Sequence, residues 1–415
     1  MSPSPWITAA IAALTFAGIA VGRYPIIKSN RTTIALMGVA LLVVSGQVDF
    51  RRLPDYVDFD TLILLFSMMI LNANLKLAGF FDLAGSLLVR RTNSPRVFLA
   101  LEILLTGVLS ALFLNDTICL MFAPFLIELM NKLRRNPLPY LIALATAANV
   151  GSTATLTGNP QNMIVGVASG ISYAKFTLAL APLALLGLGI VWLVLVAMYP
   201  RDLGRAERFE PLAEEPLVVS RPLLIKTLAV TAALLAAFLA GVPIALAAFL
   251  AASLLLVTRR HQPQTVFAEF DWSLLVFFAA LFIVSGSLET SGVTTQWIDL
   301  ERISAQASVA GLTAITAVLS NLISNVPAVM LLKPVVGAMP SAGPGMTAQA
   351  GWLIVAAAST LAGNLTLLGS VANLIVAETA SRWRIDLSFW EYTKSGLIIT
   401  LLTLALAILW LSIPR

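Results

Sequence analysis

The sequence predicts an all-α polytopic membrane protein built as two inverted repeats. Three observations carry that prediction: a composition too apolar for a soluble core, an internal duplication, and two over-long apolar segments interrupted at matching places. Of 415 residues, 59% are hydrophobic and only 11% are charged, with a mean hydropathy of +0.91. Helices that face lipid require such a composition, whereas a soluble chain of this length could not hide so much apolar surface. The net charge of +5 is therefore read through membrane topology, with the lipid bilayer as partner and no nucleic acid.

Apolar runs of spanning length fall at 6–22, 32–48, 61–80, 97–114, 117–133, 139–170, 176–199, 223–240, 242–258, 272–289, 308–323, 326–340, 352–380 and 396–413. No lysine or arginine precedes the first run, so it reads as a retained helix and not as a signal peptide. Runs 139–170 and 352–380 exceed one crossing, and each is broken by a polar stretch, Gly151 to Asn162 and Gly363 to Asn373. Irregular backbone at membrane depth is tolerated only where protein buries it or water lines it, and broken helices of this kind build transport sites.

The breaks are copies of one another. Val108-Leu109-Ser110 through Pro124 aligns without gaps on Val318-Leu319-Ser320 through Pro334, with Asn115 on Asn325. One residue further out of step, Thr155-Leu156 meets Thr366-Leu367, Gly158 meets Gly369 and Asn162 meets Asn373. The chain divides into a first repeat at 1–199, a polar cytoplasmic linker at 200–222 and a second repeat at 223–415. Each half offers five crossings, one of them broken, plus a paired segment (about 97–133 and about 308–340) with a polar tip. An odd number of crossings forces the second copy to be inverted. Lysine and arginine placement agrees, with eighteen on one side against six on the other, which puts both termini outside and the first tip on the cytoplasmic approach. Segment 97–133 is compatible with a re-entrant hairpin or with two full spans, and charge counting does not choose between them.

The polar tips and breaks look like helix starts, whose free N–H groups attract anions. Asn159 before Pro160 is an N-cap followed by proline at the first helical position. Asn115 or Asp116 is expected to cap the first tip, Asn325 to start a helix at the second, and Ser370 to cap the second break. Threonine hydroxyls of Thr117, Thr153, Thr155 and Thr366, with break carbonyls, offer oxygen ligands to a small cation. The bland alternative is that these residues merely satisfy kinked helices; four kinks obeying one symmetry favour the functional reading. Other charges are placed at interfaces: Glu102 and Glu128 solvated at the cytoplasmic side, Lys333 snorkelling, and Asp58, Asp60 and Asp271 at span edges. The single histidine, His261, reads as a loop residue, and the single cysteine, Cys119, excludes a disulfide framework or thiolate metal site.

The tip Asn115-Asp116-Thr117, the break Thr157 to Asn162, the tip Ser324-Asn325-Val326-Pro327 and the break Gly363 to Asn373 resemble the ion-transporter superfamily. Its members include arsenite-efflux permeases, sodium/proton antiporters and divalent-anion:sodium symporters. The resemblance implies re-entrant hairpins, a homodimer with scaffold and transport domains, and elevator-type alternating access. It also implies a solute site at Asn115, Asp116, Thr117, Gly158, Asn159, Asn162, Ser324, Asn325, Gly369, Ser370 and Asn373. A coupling-ion site would use Asn115, Asp116, Gly151, Ser152, Thr155, Asn325, Gly363, Asn364 and Thr366. The first tip, Asn-Asp-Thr, is closer to the arsenite permeases, and Val326 stands where the symporters carry threonine in the second.

The expected function is ion-coupled secondary transport of a small anion or oxyanion-type solute in the plasma (inner) membrane. Arsenite or antimonite efflux by proton antiport is the sharpest form, with dicarboxylate or inorganic anion permeation and sodium/proton antiport as alternatives. Asp116 is the expected coupling group, exchanging a proton or binding sodium. No cofactor is expected beyond a coupling proton or sodium ion, and no metal. No nucleotide-binding motif appears, so ATP drive would need a separate cytosolic ATPase partner. An enzyme is disfavoured because HExxH and GxSxG are both absent; a passive channel is the remaining contrast.

Overall fold

The computed structural model describes residues 4–21, 30–204, 209, 218–257, 262–292, 308–341 and 346–413, and every regular element among them is helical. His261, Arg23, Lys28, Arg205, Arg208, Arg259, Arg260, Arg302, Arg415 and most of the linker at 200–222 lie outside the described residues.

In the first half the helices are α1 (Pro5–Val21), α2 (Arg31–Val44), α3 (Phe59–Leu77), α4 (Phe80–Arg91), α5 (Pro95–Leu112), α6 (Asn115–Lys132), α7 (Leu138–Ser152), α8 (Pro160–Ser169) and α9 (Tyr173–Met198). In the second they are α10 (Arg221–Leu239), α11 (Ile244–Leu256), α12 (Pro263–Phe267), α13 (Trp272–Thr290), α14 (Val309–Ile323), α15 (Asn325–Gly337), α16 (Ala348–Ala362), α17 (Val371–Arg382) and α18 (Phe389–Leu411). Among the described residues six helices are long and apolar enough to cross a membrane, and further apolar helices are shorter. The chain is an integral membrane protein.

Local sequence explains the boundaries. Asn30, Asp58, Ser172, Ser308, Thr347 and Ser388 cap α2, α3, α9, α14, α16 and α18 through their side chains. Proline occupies the first turn of α5, α8 and α10. Hydropathy alone misses α4, the five-residue α12 and a short 3-10 helix at Phe50–Tyr56, because none is a spanning apolar run. Large apolar side chains remain outward, among them Leu178, Leu185 and Leu193 on α9, as lipid-facing surfaces require.

The two interrupted segments appear as α7/α8, parted by residues 153–159, and α16/α17, parted by 363–370 with one 3-10 turn at Leu367–Gly369. Packing between the halves is reciprocal. Helix α3 packs on α11 while α13 packs on α2, and α6 packs on α17 while α15 packs on α8. Corresponding helices also run head to tail. Tyr56, just before α3, meets Thr290 at the end of α13 at 3.4 Å, and Lys76 at the end of α3 pairs with Glu269 just before α13. Likewise Tyr199, at the end of α9, donates to Glu391 near the start of α18 (2.7 Å). Trp410 near the end of α18 donates to the Ala179 carbonyl near the start of α9 (2.8 Å).

Close approach of α5 and α7 depends on glycine. A Cβ on Gly151 would strike the backbone of Gly107, so two bare backbones meet there, as small residues permit between apolar helices.

Candidate functional site

The two breaks are built by the same hydrogen bonds. Asn162 Nδ2 donates to the carbonyls of Ser152 (3.1 Å) and Thr155 (2.9 Å). Asn373 Nδ2 donates to Gly363 (2.8 Å) and Thr366 (3.0 Å). In each half one asparagine in the first turn of the second half-helix thus satisfies carbonyls that the interruption leaves without intrahelical donors.

Asn159 caps α8 by accepting from the Asn162 N–H at 2.9 Å, and Ser370 caps α17 through the Ala372 N–H at 3.3 Å. At the first tip the structure corrects the expectation. The N-cap is Leu114 with no side-chain bond, and Asn115 is the first helical residue. Its side chain is free to turn inward, where Asn115 Nδ2 donates to Asn149 Oδ1 at 3.0 Å. At the second tip Asn325 begins α15 as expected, after Ser324 at φ 81° and ψ 159°, a region that costs a non-glycine residue about 1–3 kcal/mol.

Both tip asparagines hold the neighbouring break through its glycine. The Asn115 backbone N–H donates to the Gly158 carbonyl at 3.0 Å. The Asn325 amide, oriented by the acceptors around it, donates to the carbonyls of Gly369 (3.2 Å) and Ser359 (3.1 Å). A Cβ on Gly158 would come within 2.9 Å of the Ser110 carbonyl, and one on Gly369 within 2.7 Å of the Gly363 carbonyl. Glycine is needed at both places for close approach.

At the centre stands Asn149, a residue that sequence reasoning passed over. Its Oδ1 accepts from Asn115 Nδ2 and from Ser370 Oγ (3.0 Å), and its Nδ2 donates to Asn364 Oδ1 (2.9 Å) and Asn373 Oδ1 (3.0 Å). All four of its hydrogen-bonding positions are used, linking the first tip to the second break. Its counterpart in the second half, Thr360, accepts from Asn159 Nδ2 (3.2 Å) and Gln161 Nε2 (3.1 Å). The legible signal was a lone asparagine inside the apolar run of α7 that falls opposite a threonine in the duplicated frame.

Most residues predicted for the site therefore meet: Asn115, Gly151, Ser152, Thr155, Gly158, Asn159, Asn162, Asn325, Gly363, Asn364, Thr366, Gly369, Ser370 and Asn373 all lie in or against this asparagine-rich centre. Three do not join its bonds. Thr117 accepts from Asn72 Nδ2 of α3 at 3.2 Å. Asp116 is half-buried, with Arg31 of α2 and Asp271 of α13 in electrostatic reach, so it faces different helices from Asn115. Ser324 makes no side-chain cap. Thr155 Oγ1 donates to the Ala111 carbonyl, which ties the first break to the end of α5. Asp58 and Asp271 sit at helix starts as N-caps.

The first break is closed and the second is partly open: residues 153–159 are all buried, whereas Leu365, Thr366 and Leu367 are half-buried and Leu368 is exposed. Buried polar atoms left without a partner around the centre are chiefly acceptors, Asn115 Oδ1, Asn162 Oδ1 and Asn321 Oδ1, together with the Ser110 hydroxyl. Among the described residues no cluster of three or more histidine, cysteine or acidic groups could hold a metal ion.

The profile of the family described as "CitMHS: Citrate transporter" matches residues 19–358. The chain belongs to this family. It is 32% identical to the "Silicon efflux transporter LSI3" of Oryza sativa subsp. japonica, over 92% of this chain and 93% of that one. It is 23% identical to the "Putative transporter arsB" of Dictyostelium discoideum, over 91% and 86%. Among solved structures it resembles the Alcanivorax borkumensis YdaH transporter at a TM-score of 0.61, with 16% identity over 99% of this chain and 98% of that one. It also resembles Neisseria gonorrhoeae MtrF at a TM-score of 0.56, with 13% identity over 99% and 95%. These likenesses to solved structures show the fold. The family and its relatives are transporters, not enzymes, and this chain is a secondary transporter.

Proposed function

We propose that the protein is a proton-coupled efflux transporter of a small, neutral, hydroxylated solute, with arsenite or antimonite as the leading substrate and silicic acid as the chemical relative. The observation that carries this reading is the polarity of the vacant hydrogen-bonding positions. The unpartnered buried amide atoms at the centre are oxygens, and acceptor oxygens match a solute that presents O–H donors. The names of the rice relative, a silicon efflux transporter, and of the Dictyostelium relative, the putative transporter arsB, are in line with this reading. Sodium is the less favoured coupling ion. The break carbonyls of Ser152, Thr155, Gly363 and Thr366, which would be natural cation ligands, already accept from Asn162 and Asn373. Asp116 is then the proton-exchanging group.

The head-to-tail pairing of α3 with α13 and of α9 with α18 supports two inverted repeats meeting at the breaks, at 1–199 and 223–415. Burial of Asn115 against Gly158 supports re-entry of hairpin 97–133. Elevator movement of the hairpins and breaks in a homodimer, a plasma-membrane location with both termini outside, and an optional cytosolic ATPase partner complete the proposal. A second reading, permeation of citrate or another carboxylate, is favoured by the family description and by four helix N-termini drawn to one region. Purified protein in proteoliposomes, assayed with arsenite, silicic acid and citrate under separate proton and sodium gradients, tests both. Arsenite or silicic acid flux driven by a pH gradient is expected; citrate flux alone, or flux driven only by sodium, overturns the first reading.

A further inference from the structure

The first arm of the hairpin carries an ionisable group that the asparagine centre does not use. Glu102 in α5 was expected at a solvated interface; it is instead 1% exposed, and neither carboxyl oxygen has a hydrogen-bond partner. Across the seam on α7, Tyr140 is also 1% exposed, and its hydroxyl is likewise unpartnered. The two lie in electrostatic reach of one another. Phe98 closes the seam, with its ring 5.6 Å from that of Tyr140 and 5.6 Å from that of Phe209. An acceptor carboxyl and a donor phenol thus lie buried in one apolar seam, each without a hydrogen bond.

Among the described side chains of the elements packed on α5, none pairs a cation with this carboxyl. Helix α7 has no ionisable side chain besides Tyr140. On α9 the ionisable residues are Tyr173 and Lys175, at the opposite end from Trp192, which bonds to the Arg96 carbonyl near the start of α5. On α6, Glu128 and Lys132 pair with each other at 2.9 Å, while Asp116 and Cys119 sit at the tip end. Helix α4 carries Asp82, Arg90 and Arg91. Arg135 and Asp202 are in electrostatic reach of the phenol. A carboxylate in such a seam would be an unpaired charge in an apolar medium, so the neutral acid is the stable form.

We propose that Glu102 and Tyr140 form a proton-binding site in the α5–α7 seam, separate from the asparagine centre. The Glu102 carboxyl holds one proton while the seam is closed. It loses that proton to water when the seam hydrates, and the Tyr140 hydroxyl then donates to the carboxylate left behind. Because Gly107 and Gly151 bring the same two helices together further along, a change in α5–α7 packing at the centre reaches this seam directly.

Infrared difference spectroscopy of the full-length protein in lipid nanodiscs, run as a pH titration in light and heavy water, tests the site without any solute. Wild-type protein is expected to show a protonated-carboxyl band at neutral pH that shifts on deuteration, disappears in Glu102→Gln and survives at a displaced frequency in Glu102→Asp. Tyr140→Phe is expected to keep the band and to raise its titration midpoint, so that about tenfold less proton is needed for half-protonation. Glutamine matches glutamate in volume and the aspartate variant keeps a carboxyl, so a folding defect in one leaves the other to decide. If neither variant alters protonated-carboxyl intensity at any pH, the proposal fails; a Tyr140→Phe midpoint equal to wild type removes the tyrosine. Neither result bears on which solute is carried.

Discussion

Asn149 and Thr360 occupy the same position in the two halves, and each is held by the N-cap residue of the other half's broken helix. Ser370 Oγ donates to Asn149 Oδ1 at 3.0 Å, and Asn159 Nδ2 donates to Thr360 Oγ1 at 3.2 Å. The exchange means that neither break is complete within its own repeat. Asn149 carries the larger share, since it also binds Asn115, Asn364 and Asn373.

That imbalance gives the first prediction. Hydrogen bonds between helices in a membrane contribute about 0.6–1.7 kcal/mol each, so Asn149→Ala, which deletes four, is expected to destabilise the protein by roughly 2 kcal/mol or more. Thr360→Val removes two acceptances and is expected to cost roughly half as much. Denaturation midpoints of the purified variants in one detergent check the order; a greater loss in Thr360→Val would contradict the assignment of Asn149 as the hub.

The matching braces give a second prediction. Asn162 and Asn373 each satisfy two break carbonyls with equivalent geometry. Alanine at either position leaves one break carbonyl unmet, Thr155 or Gly363, at about 1–3 kcal/mol where water does not reach it, because the Ser152 carbonyl keeps the Asn159 amide and the Thr366 carbonyl keeps the Gly369 N–H. Asn373→Ala also strips one Asn149 N–H of its acceptor, whereas Asn162 Oδ1 has no partner to lose, so Asn373→Ala is expected to be the more damaging. Thermal midpoints of the two variants measured side by side decide this, and a greater loss in Asn162→Ala would contradict the part given to the Asn149–Asn373 bond.

The duplicated frame made most of this centre readable before any coordinates. Gly158 with Gly369 and Asn162 with Asn373 stood out because they recur in breaks that an apolar run has no other reason to contain. Asn149 did not, because one polar residue inside a helix leaves hydropathy unchanged and three of its four partners lie more than two hundred residues away. Glu102 was misplaced for a related reason. Distance along a helix tells how far a side chain could reach towards water, not which neighbour closes over it, and Phe98 and α7 do so here. Helix α4 was missed because its mixed composition suits a short helix at the edge of the fold rather than a crossing.

Glycine at the breaks supports a third prediction. Gly158→Ala would push a methyl group towards the carbonyls of Ser152 and Ser110, both backbone atoms that cannot rotate away. An overpacked contact of this kind costs about 1–3 kcal/mol, and the strain falls on the Asn115–Gly158 bond that seats the first tip. Gly170→Ala, at a position with open space around it but φ of +64°, pays only the left-handed backbone cost of about 1–2 kcal/mol and leaves the centre intact. Solute flux in proteoliposomes is therefore expected to collapse in Gly158→Ala and to persist in Gly170→Ala. Persistence in both would show that the tip does not depend on the glycine carbonyl.

Asp116 is set apart from its neighbour by a helical turn's geometry. Asn115 points into the asparagine centre, whereas Asp116 lies towards Arg31 and Asp271 on α2 and α13. On the proposed function, a carboxyl in electrostatic reach of a cation and a second carboxylate, on a helix that touches the asparagine centre through the adjacent residue, would convert proton binding into a change of contact between the hairpin and its surround. Its equivalent in the second half is Val326, so this carboxyl is not duplicated. Asp116→Asn keeps the shape and removes the titration. Solute exchange without a gradient is expected to continue in this variant, while uphill flux driven by a pH gradient is expected to fall at least tenfold and its pH dependence to flatten. Paired exchange and uphill assays in the same proteoliposomes measure both; unchanged pH-driven accumulation in Asp116→Asn would remove Asp116 from the coupling mechanism.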